Sequence, residues 1–232
     1  MAGLTPAEWD ALDLALRIAS VAVIVALPFA LALGLALSRG NFRGKSILEA
    51  LLTLPLIVPP VVTGYTLLGL FGKHGFLGQA LATIGISITF RWTGAAVAAA
   101  VMAFPLLVLS TRAAFDGVDR RLEAAAETLG AGRWRRFVSI TLPLSLRGVL
   151  AGIVLGFARA FGEFGATISF VGNIPGQTRT LSIAIWELLN QPGGEDAVQR
   201  LVWVSLAVAL ASSFAVGLLR GRAAPVEDAP DA

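Results

Sequence analysis

An all-α integral membrane protein with five transmembrane helices is the fold class this sequence predicts, and three observations predict it. Of 232 residues, 56% are hydrophobic and only 14% are charged, where a soluble domain carries about 25% charged residues. The apolar residues gather in five runs, at about 12–37, 47–71, 92–111, 146–171 and 201–219, each near the roughly 20 residues needed to cross a bilayer. A polar, basic stretch at 122–143 separates the third run from the fourth. Residues 1–222 read as one membrane domain. Residues 223–232, with two prolines and three acids, read as a disordered tail.

The loops set the orientation. Twelve Lys and Arg residues fall in the first and third connections and the C-terminal region, against four in the N-terminal region and the second and fourth connections. Positive residues are retained in the cytoplasm, so the N-terminus is expected outside, the C-terminus inside, and the 122–143 stretch in the cytoplasm. The acidic N-terminus is unlike a cleaved signal peptide. With no cysteine and one histidine, His74, neither disulfides nor a Cys- or His-rich metal centre is possible. No nucleophile–base set and no nucleic-acid partner are expected.

The first span carries Arg17, expected to snorkel to headgroups or to pair with Asp13 one turn away, and Pro28, expected to bend it. The first connection, GNFRGKS at 40–46, fails as a phosphate-binding loop. Three residues separate Gly40 from Gly44 where four are required. The chain therefore has no ATP site of its own. The second span holds Pro55, Pro59 and Pro60. Three prolines within six residues remove backbone donors and force an irregular helix, which is tolerated at membrane depth only inside protein or beside a water-filled path. Both a packing kink and a wall of the translocation route fit. The external connection is expected to hold a short interfacial helix at 77–84 with His74 exposed beside it, and the Ala- and Val-rich third span is expected to pack closely.

The fourth span opens with Gly148, Gly152 and Gly156 on one face, a spacing that lets helices approach. Arg159 and Glu163 follow, four residues apart and so on one side of a helix. Glu163 lies roughly 25 Å along the span at 1.5 Å per residue. Buried ionisable residues face a cavity or each other. A structural ion pair and a charged element at an outer gate both fit, with Gly162 and Gly165 allowing the helix to unwind there.

The 122–143 stretch, LEAAAETLGAGRWRRFVSITLP, reads as two short helices joined by a glycine elbow. Residues 122–129 are rich in strong helix formers, the Gly130-Ala131-Gly132 elbow breaks them, and residues 133–142 resume. This stretch resembles the signature loop of importer-type ABC permease subunits. Ala125, Ala126, Gly130, Ile140, Leu142 and Pro143 stand at that family's spacing. Its glutamate position is filled by Ala124, with Glu123 one residue earlier. Arg159 to Thr167, the 173–181 turn and the 191–195 turn look like the molybdate branch of the family. The resemblance covers 39–219. It implies a type I importer permease fold and a cytoplasmic coupling loop. It also implies a homodimer with the path at its two-fold axis, in a bacterial inner membrane.

The partners it implies are an ABC ATPase dimer, which holds ATP and magnesium while this chain binds no cofactor, and a periplasmic molybdate-binding protein docking near a short outer helix at 182–189. Coupling is expected to involve Glu123, Ala125, Ala126, Gly130, Arg133, Trp134, Phe137, Ile140, Leu142 and Pro143. Trp134 and Phe137 would be apolar anchors in the ATPase groove, and Arg133, Arg135 and Arg136 would meet acidic rims or lipid headgroups. The pathway or gate is expected at Pro55, Pro59, Pro60, Arg159, Glu163 and Gly165. The alternatives are a tungstate or sulfate permease, or a carrier working alone. A lone carrier would show paired repeats of broken spans, and no convincing repeat is present.

Overall fold

The structure, a computed structural model, describes residues 3–220; the tail expected at 223–232 lies outside the described residues. Helix α1 (Pro6–Arg39) begins at a capping box, with the Thr5 hydroxyl accepting from the Glu8 amide and the Glu8 carboxylate accepting from the Thr5 amide. Both orphan donors at the helix start are thereby satisfied. Then come α2 (Lys45–Ile57), α3 (Pro60–Phe71), α4 (Phe76–Ala82) and α5 (Trp92–Asp116). The connecting stretch forms α6 (Arg120–Thr128), α7 (Arg133–Arg136) and a π-helical turn (Phe137–Thr141) that runs directly into α8 (Leu142–Phe161). The chain closes with α9 (Gly165–Val171), α10 (Leu181–Leu189) and α11 (Glu195–Arg220).

Among the described residues, four helical segments are long and apolar enough to cross a membrane: α1, α5, Arg133–Phe161 and α11. The α2–α3 pair is the fifth candidate, bent by 110° at its break. The second apolar run is thus two helices at an angle, a stronger departure than an irregular single span. Pro59 and Pro60 have no N–H to offer the carbonyls of Pro55 and Leu56, so α2 cannot propagate through them. The fourth run is also divided, at Gly162 to Phe164, where α8 ends and α9 begins.

Small residues decide the packing at the centre. Ala11, Ala15, Ala19, Ala22, Ala26 and Ala30 form a buried stripe on α1, which brings α5 close enough for Thr111 to donate to the Ala30 carbonyl at 3.1 Å. A Cβ at Gly34 would sit 2.4 Å from the Thr111 hydroxyl. On an adjoining face of α5, added Cβ atoms at Gly148, Gly152 and Gly156 would lie 2.6–2.7 Å from Ala114, Ser110 and Leu107. The glycine ladder therefore faces α5, and the three helices form the core through close backbone approach rather than large side chains. Arg17 lies over the Trp92 ring at 3.9 Å. Arg17 stays exposed and forms no ion pair with Asp13 among the described residues; the half-buried Trp92 ring offers its guanidinium a cation–π face instead.

Candidate functional site

Two regions of unusual local chemistry sit at opposite ends of this core. At one end, α6 starts at Asp119, whose carboxylate accepts from the Arg121 amide at 2.8 Å. It stops at Gly130, with φ +83°. The Gly130 amide donates to the Glu127 carbonyl and the Ala131 amide to the Ala126 carbonyl, at 2.9 and 3.0 Å. That pair of bonds is a Schellman closure, which needs the left-handed backbone glycine supplies. The chain then re-enters a helix at Arg133. A π turn follows because Pro143 has no amide for the Ser139 carbonyl. The ladder widens, and the Leu142 amide reaches the Phe137 carbonyl instead.

This elbow is tied to the core at three points. Glu123 accepts from Arg39 Nη2 at 2.8 Å, from Arg39 Nε at 3.1 Å and from the Thr141 hydroxyl at 2.6 Å, so one carboxylate joins α1, α6 and the π turn. Phe137 packs edge-on to the fully buried Phe115, with ring centroids 5.9 Å apart. Ser38, buried at the end of α1, donates to Asp116 at 2.6 Å and accepts at its carbonyl from Arg120 at 2.8 Å. Ala124, at the position where the signature has its carboxylate, is exposed. A step of one residue turns a helix by about 100°, so a carboxylate there would point away from Arg39. Glu123 is the position that reaches it.

The remaining loop residues divide by direction. Trp134 is 76% exposed and Leu129 88%, which makes both apolar tips of the loop, and the Trp134 ring lies 5.8 Å from that of Phe137. Phe137 turns inward. Ala126, Ile140 and Leu142 are half-buried, and Ala125, Arg133 and Pro143 are exposed. Arg136 pairs with Glu127 at 2.6 Å. Arg39, Ser38, Arg120, Thr141 and Leu129 carry no local signal that marks them as part of this site. Arg39 and Glu123 are 84 residues apart, and only the folded core brings them together.

Burial of Glu123 would raise its pKa, but the hydrogen bonds from Arg39 and Thr141 and the charges of Arg39 and Arg136 outweigh it and hold the carboxyl below its ordinary value. A depressed carboxylate stabilises the fold fully above its unfolded pKa, and the contribution fades as pH falls through the folded one. Glu123→Gln is expected to cost about 1–3 kcal/mol at neutral pH. The gap in thermal unfolding between wild type and variant should begin to narrow as pH falls below the ordinary carboxylate value of about 4.3 and go on narrowing at lower pH. A gap that is constant with pH would rule out a charge-assisted latch.

At the opposite end, the break in the fourth run is held open by Glu163, only 3% exposed. One carboxylate oxygen accepts from the Ala166 amide at 2.8 Å, at the start of α9, and the other pairs with Arg159. The α9 helix packs on α3. A Cβ at Gly64 would lie 2.4 Å from the Ala166 carbonyl, and one at Gly165 would lie 2.8 Å from Pro60. These two glycines bring the bent pair onto the break, so Pro59, Pro60, Glu163 and Gly165 form one region. Pro55 lies a turn away within α2. Beyond α9, Asn173, Arg179 and Glu187 bond one another at 2.7–2.9 Å and fix α10 in place. The outer face of the bent pair is uncovered: α2 buries no residue, and Leu54, Ile57, Val61, Val62 and Tyr65 are exposed.

Comparison with known proteins adds the following. Residues 26–221 match the family described as binding-protein-dependent transport system inner membrane component. The chain is 52% identical over 210 residues to the molybdenum transport system permease protein ModB of Escherichia coli (strain K12), covering 90% of this chain and 92% of that one. It is 37% identical over 212 residues to the sulfate transport system permease protein CysT of the same organism, covering 91% of this chain and 76% of that one. Its fold is similar to that in the crystal structure of a bacterial ABC transporter involved in the import of the acidic polysaccharide alginate, with TM-score 0.73 and 16% identity over 95% of this chain and 81% of that one. It is similar also to the MetNI methionine ABC transporter, with TM-score 0.65 and 15% identity over 91% and 94% of the two chains.

Proposed function

Because the chain belongs to the family of binding-protein-dependent transport system inner membrane components, we propose that it forms the membrane path of an ATP-driven molybdate importer. The observation that carries this reading is 52% identity along nine-tenths of both chains to a molybdenum permease. Tungstate is a tetrahedral dianion of the same geometry and is expected to follow the same path. The sulfate reading is weaker, since that relative is less similar and longer.

The mechanism follows from the parts. The tip at Leu129 and Trp134 seats in a groove of an ATPase subunit, with Arg133 and Arg135 at its rim. That subunit binds ATP and magnesium; this chain contributes no nucleotide site. The loop faces the cytoplasm and the N-terminus faces the periplasm, in keeping with the Lys and Arg distribution. The Glu123–Arg39 latch and the Phe137–Phe115 contact carry displacement of the tip into α1 and α5. The uninterrupted helix from Arg133 to Phe161 acts as a lever to the region around Glu163, where α9 and α3 shift as rigid bodies. The uncovered face of α2 and α3 leaves a path wall incomplete in one chain, and a second copy related by a two-fold axis completes it. Selectivity rests mainly with the periplasmic binding protein, so this chain needs only a transient path.

The test is uptake into proteoliposomes containing the chain and its ATPase, supplied with binding protein, ATP and labelled molybdate, with excess sulfate as competitor. ATP-dependent uptake that resists sulfate is expected. Uptake abolished by sulfate would move the chain to the sulfate branch. Accumulation without the ATPase would mean a carrier working alone.

A further inference from the structure

A cavity of about 670 Å³ lies between the end of α1 and the α6–α7 elbow. Its polar side is lined by Arg39, Arg120, Arg133 and Arg136 against one carboxylate, Glu123. That carboxylate is committed to Arg39, and Arg136 is paired with Glu127. Among the described residues, Arg120 holds a neutral partner, the Ser38 carbonyl, and forms no ion pair. Arg133 forms no ion pair among the described residues. Two positive charges are therefore left without a counter-charge among the described residues. Guanidinium forks match phosphate oxygens two at a time.

The other wall of the cavity is apolar, formed by Ala32 and Leu35 of α1. It continues along that helix onto Phe29 and Val25, 63% and 57% exposed. A lone oxyanion would use the arginines and leave this wall wet. A phosphate carrying acyl chains fits both halves. The cavity also sits where α1 leaves the membrane, the level of lipid headgroups, and basic pockets at the cytoplasmic ends of spans suit anionic lipids. We propose that this pocket holds the phosphate headgroup of an anionic phospholipid of the cytoplasmic leaflet, with its chains along α1, so that lipid braces the latch between α1 and the loop. The proposal rests on the cytoplasmic placement of the loop given above.

The experiment uses the permease assembled with its ATPase in neutral detergent. Binding of phosphatidylglycerol, of phosphatidylcholine with the same chains, and of glycerol phosphate is followed by native mass spectrometry. About fivefold preference per uncompensated arginine gives about 25-fold tighter binding of phosphatidylglycerol than of phosphatidylcholine. Arg133→Gln, which breaks no internal bond, should cut the preference to about fivefold. Arg120→Gln with Arg133→Gln should abolish it, and Arg133→Lys should keep it. Equal binding of the two lipids, or an unchanged preference in Arg133→Gln, would overturn the site. Glycerol phosphate displacing the lipid at equal concentration would make it a free-phosphate site. Preference seen only without the ATPase would mean that an acidic protein surface covers it. In the wild-type complex, equal binding of the two lipids with intact uptake counts against this site alone, and absent uptake with intact preference counts against the transport reading alone.

Discussion

Replacing Gly130 with proline is expected to abolish ATP-coupled uptake while leaving the chain inserted in the membrane. The reason is local. Gly130 has φ +83°, and proline is held near −65°. Its amide closes α6 on the Glu127 carbonyl, and proline has none to give. Both faults fall on the elbow that sets the angle between α6 and α7, and so on where Leu129 and Trp134 point. The core helices do not depend on them. Gly130→Ala keeps the amide and is strained only by its φ, a cost of about 1–2 kcal/mol, so it should transport at an intermediate rate. Gly132→Ala is the control. Its φ is −65° and a Cβ there meets nothing within 4 Å, so uptake should stay near wild type. Uptake rates across this series, normalised to membrane-inserted protein, are the measurement. Wild-type uptake by Gly130→Pro would sink the coupling role of the loop.

The elbow is legible in the amino-acid sequence because its signal is local: two glycines within three residues, after a run of strong helix formers. The five apolar runs and the Gly148, Gly152 and Gly156 ladder are legible for the same reason, since length and four-residue spacing are properties of the chain itself. What the sequence conceals depends on direction or on distant partners. Three prolines announce that the second run is irregular, but nothing in them encodes a 110° bend. The break before α9 is announced by Gly162 and Gly165, but the packing of α9 against α3 is not. Trp134 and Phe137 are both aromatic and three residues apart, yet one is at the exposed tip and the other on Phe115. That difference belongs to α5, not to the loop. Arg39 and Thr141 acquire their roles only when the α1–α5–α8 core stacks their ends together around Glu123.

The Arg159–Glu163 pair carries the second large expectation, because Glu163 is closed in and doubly bonded while Arg159 keeps 27% of its side chain exposed. Glu163→Ala removes the counter-charge of Arg159 and the acceptor of the Ala166 amide together. Breaking a buried pair by removing one partner costs about 3–5 kcal/mol. Partial exposure of Arg159 puts the expected loss at the lower end, near ~3 kcal/mol. Thermal stability in detergent and uptake should both collapse. Arg159→Met alone should also destabilise, since it strands the buried carboxylate. Combining Arg159→Met with Glu163→Gln removes both charges and keeps an acceptor for Ala166, and replacing a whole buried pair is often neutral. The double variant is therefore expected to be more stable than either Glu163→Ala or Arg159→Met. It is also expected to recover uptake, because the geometry spends both charged groups on holding α8, α9 and α3 together. A stable double variant that fails to transport would place one of those charges in the path of the anion.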